Sequence, residues 1–150
     1  MAAKTTVALV FGGRSSEHAI SCATAGGVLS AIDRERFEVI PVGVTRDGAF
    51  VLERDDPGRL ALNPAALPEV FDNGSRVHFP ESVLSRELTV TDASGATRSL
   101  GAVDVVFPIL HGPFGEDGTF QGMLEPSASL ISSGSLLLSI MLKIQPLALQ

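Results

Sequence analysis

The sequence predicts an α/β fold on a mostly parallel sheet, and three observations carry that prediction. "TTVALVF", from Thr5 to Phe11, is a short β-rich apolar run closed by Gly12-Gly13, the pattern of a buried strand. From Glu17 onward, apolar residues fall at Ile20, Ala23, Gly27, Val28, Ala31 and Ile32, the one-face spacing of a helix. "FEVIPVGV", from Phe37 to Val44, is a second strand. Strand, helix and strand within about forty residues make a βαβ unit, whose two strands should run parallel through a right-handed crossover.

The elements follow in order. Ser16 is placed to cap the helix, its hydroxyl accepting an orphan N–H of the first turn, and Asp33 ends the periodic pattern. Pro41 lacks a ladder donor and points to an edge or irregular position for the second strand. Asp47-Gly48, between "VGVT" and "AFVL", predicts a hairpin turn. Residues 53–100 hold several prolines and acids and one strand candidate, Glu87 to Thr91, so an insertion of loops and short strands is expected there. "VDVVFPIL", Val103 to Leu110, is the best strand of the second half. Phe120, Met123 and Leu124 then predict a short helix beginning near Asp117 or Gly118. From Pro126 the chain turns serine- and leucine-rich, with Lys143 its one charge, and lacks the polar face of a surface helix.

Composition sets the class. At 150 residues, 45% hydrophobic and 19% charged, the chain is one ordinary globular domain. A formal charge of -6 argues against nucleic acid or an anionic membrane as partner, since either would call for a basic patch. The single cysteine, Cys22, excludes an internal disulfide framework and a paired-thiol zinc site, and its helical position suggests a small buried apolar residue. "MAAKTTVALVF" lacks the long apolar core of a signal peptide, and "LLLSIML" is too short to span a bilayer. A reduced, cytoplasmic protein is expected.

Two loops hold the residues that could carry chemistry, "GGRSSEH" and "HGPFGEDG", each directly after a strand candidate. In an open α/β sheet ligands bind beyond the carboxyl ends of the strands, which puts both loops at one edge. Gly12-Gly13 matches neither G-x-G-x-x-G nor the P-loop, leaving a phosphate cradle and a tight strand-to-helix turn both open. Glu17 suits the helix macrodipole, worth about 0.3–1 kcal/mol, and equally suits a pocket rim that binds a cation. His18, its neighbour, faces elsewhere on the helix. His111 stands after a buried strand, between Leu110 and Gly112, where a bulky polar side chain has no evident packing role. Glu116 and Asp117 are explained as well by capping as by chemistry. No metal-ligand spacing is readable.

Together, "VALVFGGRSSEHAIS" and "VDVVFPILHGPFGEDGTFQGMLE" resemble the two N-terminal signatures of D-alanine–D-alanine ligases. The resemblance implies an ATP-grasp enzyme whose N-terminal domain is a three-layer, Rossmann-like pre-ATP-grasp unit. Its reaction phosphorylates one D-alanine with ATP and Mg²⁺, and the amine of a second D-alanine attacks the acylphosphate to give the peptidoglycan dipeptide. By the same resemblance, Glu17 is the catalytic and substrate-binding acid that holds the ammonium group of the first D-alanine. Ile20 lines the pocket for the small side chain, and His111 lies near the reacting carboxyl group. Gly12, Gly13, Gly115, Glu116, Asp117 and Gly118 shape the site loops, and no residue of this chain is a metal ligand.

The chain departs from the family pattern in two places. Ala19 stands where many members carry an acid, and "PSASLISSGSLLLSIMLK" replaces the expected Gly-Val-Pro-Tyr-like strand and following helix. The expected organisation is therefore a substrate domain over 1–125 and a divergent tail over 126–150. The central and C-terminal ATP-grasp domains would be absent, and with them ATP and Mg²⁺ binding and activity. Two alternatives stay open: a non-catalytic amino-acid-binding or self-associating module, for which a homodimer is one option, and a relative that uses D-lactate as second substrate.

Overall fold

The computed structural model describes residues 4–80 and 85–109. The helix expected near Asp117 and the tail from Pro126 lie outside the described residues. Strand β1 (Thr5–Gly12) leads into helix α1 (His18–Ala31), then β2 (Phe37–Val44) and β3 (Phe50–Leu52). A 3-10 turn at Pro57–Leu60 precedes β4 (Arg76–His78), β5 (Glu87–Thr91), β6 (Thr97–Ala102) and β7 (Val105–Ile109).

The four-stranded sheet runs β3-β2-β1-β7. Strand β1 is parallel to both neighbours, Thr5 opposite Phe37 on one side and Val7 opposite Val105 on the other. Flanked on both sides and covered on both faces, β1 needs an unbroken apolar run, which is what "VALVF" supplies. Alternation divides it: Val7, Leu9 and Phe11 pack with Cys22, Ala25, Val28 and Leu29 of α1. Ala8 and Val10 face the other way, onto Val77, Leu88 and Val90 of the antiparallel sheet β4-β5-β6. The result is three layers: helix, mostly parallel sheet, small antiparallel sheet. Asp104 pins the start of β7, its Oδ2 accepting the Thr6 N–H at 2.8 Å while its own N–H donates to the Thr6 carbonyl.

The hairpin forms as expected. β2 and β3 pair antiparallel across Thr45–Ala49, with Gly48 at φ 93°, a conformation natural to glycine. The insertion is more ordered than its sequence suggests, since β4 and β6 flank the expected β5. Pro41 needs correcting: β2 is an interior strand. Its carbonyl accepts the Glu53 N–H at 3.0 Å, so its nitrogen faces that same side, where β3 has already ended at Leu52. The missing donor is therefore not needed.

Helix α1 also corrects two expectations. It begins at His18 with Glu17 as the N-cap, not inside the first turn. Ser16 does not cap it; Ser15 does the nearest equivalent work, its hydroxyl accepting the Glu17 N–H at 3.0 Å. The buried face is His18, Ser21, Cys22, Ala25, Gly26, Val28 and Leu29, whereas Ile20 is 53% exposed. Gly26 is needed for the close approach of the 3-10 turn, because a Cβ there would meet the Leu60 Cβ at 3.0 Å.

Cys22 is fully buried, and burial pushes its thiol up to about 12. At neutral pH it is a thiol and not a nucleophile. A disulfide reagent such as DTNB should leave the native chain untouched and titrate one thiol after denaturation. Rapid native labelling would show that α1 opens readily.

Candidate functional site

The parallel arrangement brings the ends of β1 and β7 together, with Phe11 opposite Ile109. The carboxyl ends of both strands therefore lie at one edge. Gly12 and Gly13 both have φ 97°, a region that side chains avoid. Crowding adds a second reason at Gly12: a Cβ there would lie 2.4 Å from the Val44 carbonyl oxygen, 3.0 Å from Val70 Cγ2 and 3.1 Å from His18 Cε1.

The amides of this pair decide between cradle and turn. Gly12 N–H donates to Ser21 Oγ at 2.8 Å, and Gly13 N–H donates to the Val44 carbonyl at 2.9 Å. Both donors that a phosphate would need are already used inside the protein. The Ser21 hydroxyl in turn donates to the Ile109 carbonyl, so a helix side chain ties together the ends of β1 and β7. The glycine pair is a turn.

His18 is fully buried. Its Nδ1 stands 2.7 Å from the Gly13 carbonyl, and its Nε2 accepts the Val70 N–H at 2.9 Å. A carbonyl can only accept and an amide N–H can only donate, so the ring is the neutral Nδ1–H tautomer. Val70 in turn fills the space over two glycines, since a Cβ on Gly43 would lie 2.6 Å from its Cγ1.

Glu17 and Ile20 are on the outer side of this framework. Both are exposed, and their i, i+3 spacing puts them on neighbouring parts of one helix face. Glu17 makes two backbone hydrogen bonds, its N–H to Ser15 Oγ and its carbonyl from the Ser21 N–H at 3.0 Å. Among the described residues no ion pair takes its carboxylate. The arrangement presents an anion beside an apolar side chain at the carboxyl edge of the sheet, which suits an ammonium group attached to a small apolar body. Of the other sequence-predicted residues, His111, Gly115, Glu116, Asp117 and Gly118 lie outside the described residues.

Sequence reading missed Ser21 and Val70. Ser21 had a signal available, one turn after Glu17 on the face that the buried residues define; Val70 had none. A separate shallow groove of about 190 Å³ is lined by Leu52, Glu53, Arg54, Arg59, Phe71 and Asn73. It holds none of the predicted residues, and its Glu53 carboxylate is paired with Arg59. No cluster of three or more His, Cys, Asp or Glu able to hold a metal occurs among the described residues.

Comparison with known proteins adds independent findings. The family described as "D-ala D-ala ligase N-terminus" matches residues 6–131. The D-alanine--D-alanine ligase of Paenarthrobacter aurescens is 53% identical over 121 residues, covering 81% of this chain and 32% of that protein. That of Kineococcus radiotolerans is 54% identical over 127 residues, covering 83% and 34%. The chain thus spans about a third of the length of the curated relatives it matches. Among solved structures, the VanG D-Ala:D-Ser ligase from Enterococcus faecalis superposes with a TM-score of 0.67 at 27% identity, covering 86% of this chain and 35% of that one. D-alanyl-alanine synthetase A from Vibrio cholerae gives 0.56 at 28% identity, covering 83% and 30%.

Proposed function

Because the chain belongs to the family of D-ala D-ala ligase N-termini, we propose that it is the substrate domain of an ATP-dependent ligase that joins two D-alanines. Residues 1–125 form that domain and 126–150 a divergent tail. The Glu17 carboxylate accepts hydrogen bonds from the ammonium group of the first D-alanine, and Ile20 contacts its methyl group. His111 joins them near the carboxyl group that becomes the acylphosphate. Holding the ammonium fixes the direction of that carboxyl group, and orientation of this kind is a large share of what a ligase must supply.

The observation that carries this reading is the exposed carboxylate of Glu17, without an ion-pair partner among the described residues, just past the end of β1 and one turn from exposed Ile20. The glycine turn does not fit a nucleotide phosphate, and the described residues offer no ready-made metal cluster. The Gly12 and Gly13 amides are occupied, and no described cluster suits a metal. No nucleotide step is therefore assigned to them. No helix among the described residues is long and apolar enough to cross a membrane, and a cytoplasmic site of action accords with the reading.

A chimera tests the proposal directly. Residues 6–131, the span of the family match, would replace the corresponding segment of the Paenarthrobacter aurescens ligase. D-alanine-dependent phosphate release from ATP is expected of the chimera and none of this chain alone. A folded but inactive chimera would refute the substrate-domain role, and release by the isolated chain would refute the division of labour. A non-catalytic, self-associating module is the second reading, favoured by exposed Leu62, Leu67 and Phe71 within one segment. It requires a concentration-dependent dimer in sedimentation.

A further inference from the structure

We propose that His18 is a positioning residue for Glu17: it clamps the glycine turn that leads to Glu17 onto the Val70 segment. The inference rests on the substrate-domain reading for its functional half and on this chain's own hydrogen bonds for its structural half.

The clamp is built from three contacts that no local pattern explains. Nδ1–H of His18 donates to the Gly13 carbonyl at 2.7 Å, and Nε2 accepts from Val70 N–H at 2.9 Å, across a sequence separation of 52 residues. The Val70 side chain, itself 2% exposed, then lies against the glycines at the end of β1 and in β2, Gly12 and Gly43. Without His18, a buried carbonyl and a buried amide would both lose their partner. A leucine of similar size could fill the volume and satisfy neither, so packing alone does not account for a histidine here. Glu17 precedes the clamp by one residue and is held on its other side by Ser15 Oγ. The backbone that carries the carboxylate is thereby fixed between two hydrogen-bonded points, which is how an exposed side chain gains a defined direction.

The test has one arm on this chain and one on the ligase chimera. Long-range ¹H–¹⁵N spectra of the chain should show His18 with a protonated Nδ1 and a bare Nε2; the opposite tautomer or an imidazolium at neutral pH would overturn the clamp. In His18→Asn the side-chain amide can still reach Gly13, but the Val70 link is cut. Hydrogen exchange at Val70 should then rise roughly tenfold while Leu9 and Val10 in β1 keep their protection. Uniform acceleration would mean a purely structural role and would overturn the proposal. In the chimera, His18→Asn should raise KM for the first D-alanine by roughly tenfold with kcat reduced less, and His18→Gln, whose carbonyl can accept from Val70, should recover part of it. An unchanged KM in an active chimera would overturn the positioning role and leave the substrate-domain reading intact. Inactivity of the chimera with His18 present would instead count against that reading, with the tautomer and exchange results still deciding the clamp.

Discussion

Gly12→Ala is expected to be the most damaging small substitution in the described part of the chain. Two costs combine. The backbone stands at φ 97°, which for a residue with a side chain is strain of about 1–3 kcal/mol. The new methyl would also sit 2.4 Å from the Val44 carbonyl oxygen, and a backbone atom cannot rotate away as a side chain can. Forcing β1 and β2 apart at that point adds roughly another 1–3 kcal/mol. The sum, about 2–6 kcal/mol, is a large part of the ~5–15 kcal/mol that stabilises an ordinary domain. Two other glycines separate the terms. Gly48→Ala carries the strain, at φ 93°, but would meet only the flexible Arg14 side chain at 3.4 Å. Gly27→Ala, in the helix with nothing within 4 Å, should gain about 0.5–1 kcal/mol. Urea unfolding of the three variants should therefore rank Gly27→Ala above the parent, Gly48→Ala below it, and Gly12→Ala lowest or unfolded. Equal losses at positions 12 and 48 would mean that the Val44 contact is unimportant.

The reach and the limits of the sequence both show in α1. The neighbouring strands were legible because their burial is apolar: β1, β2 and β7 each appear as runs whose composition leaves little choice. The βαβ unit and the Asp47-Gly48 hairpin follow from those runs. The helix was legible as a helix but not in its orientation. Hydropathy selects Ile20, Ala23, Gly27, Val28, Ala31 and Ile32; Val28 and Ile32 are indeed buried, but Ile20 and Gly27 are exposed, and the protein buries His18, Ser21, Cys22, Ala25 and Gly26 instead. Histidine and serine count as polar in any periodicity argument, yet here both are buried because their partners are fixed backbone groups: Gly13, Val70, Gly12 and Ile109. Partners far away in sequence leave no local trace. The same reason hides β4 and β6. Thr97–Ala102 is exposed along nearly its whole length and owes its strand conformation to pairing with β5. At the candidate site, Glu17 stood out from its motif, and the turn role of the glycines was one of two readings. What could not be foreseen was that Val70 rests on that turn, since nothing in "LPEVF" marks it.

Glu17→Gln is the functional counterpart, and it should separate binding from folding. The change keeps the size and shape of the side chain and removes only its charge. Glu17 is exposed, makes no described ion pair and is tied to the fold through backbone groups, so the unfolding free energy of the chain should stay within about 0.5 kcal/mol of the parent. The ligase chimera should respond differently. A carboxylate facing an ammonium group forms charge-assisted hydrogen bonds, and loss of the charge from such a pair typically costs about 2–5 kcal/mol when water is excluded. Solvent screening at an exposed rim places this site at the low end. We therefore expect a fall of roughly 30- to 100-fold in kcat/KM for D-alanine, about 2–2.7 kcal/mol, carried mainly by the first substrate. Glu17→Asp retains the charge but withdraws it by one methylene, and should fall between parent and amide. Ile20→Ala supplies the apolar comparison: removing a partly exposed side chain should weaken binding by no more than about 1 kcal/mol. If the amide variant matches the parent in kcat/KM, Glu17 does not hold the ammonium group, and its place at the N-cap is explained by the helix alone. If it loses activity together with stability, the carboxylate serves the fold. Only loss of activity with stability retained makes it the substrate's counter-ion.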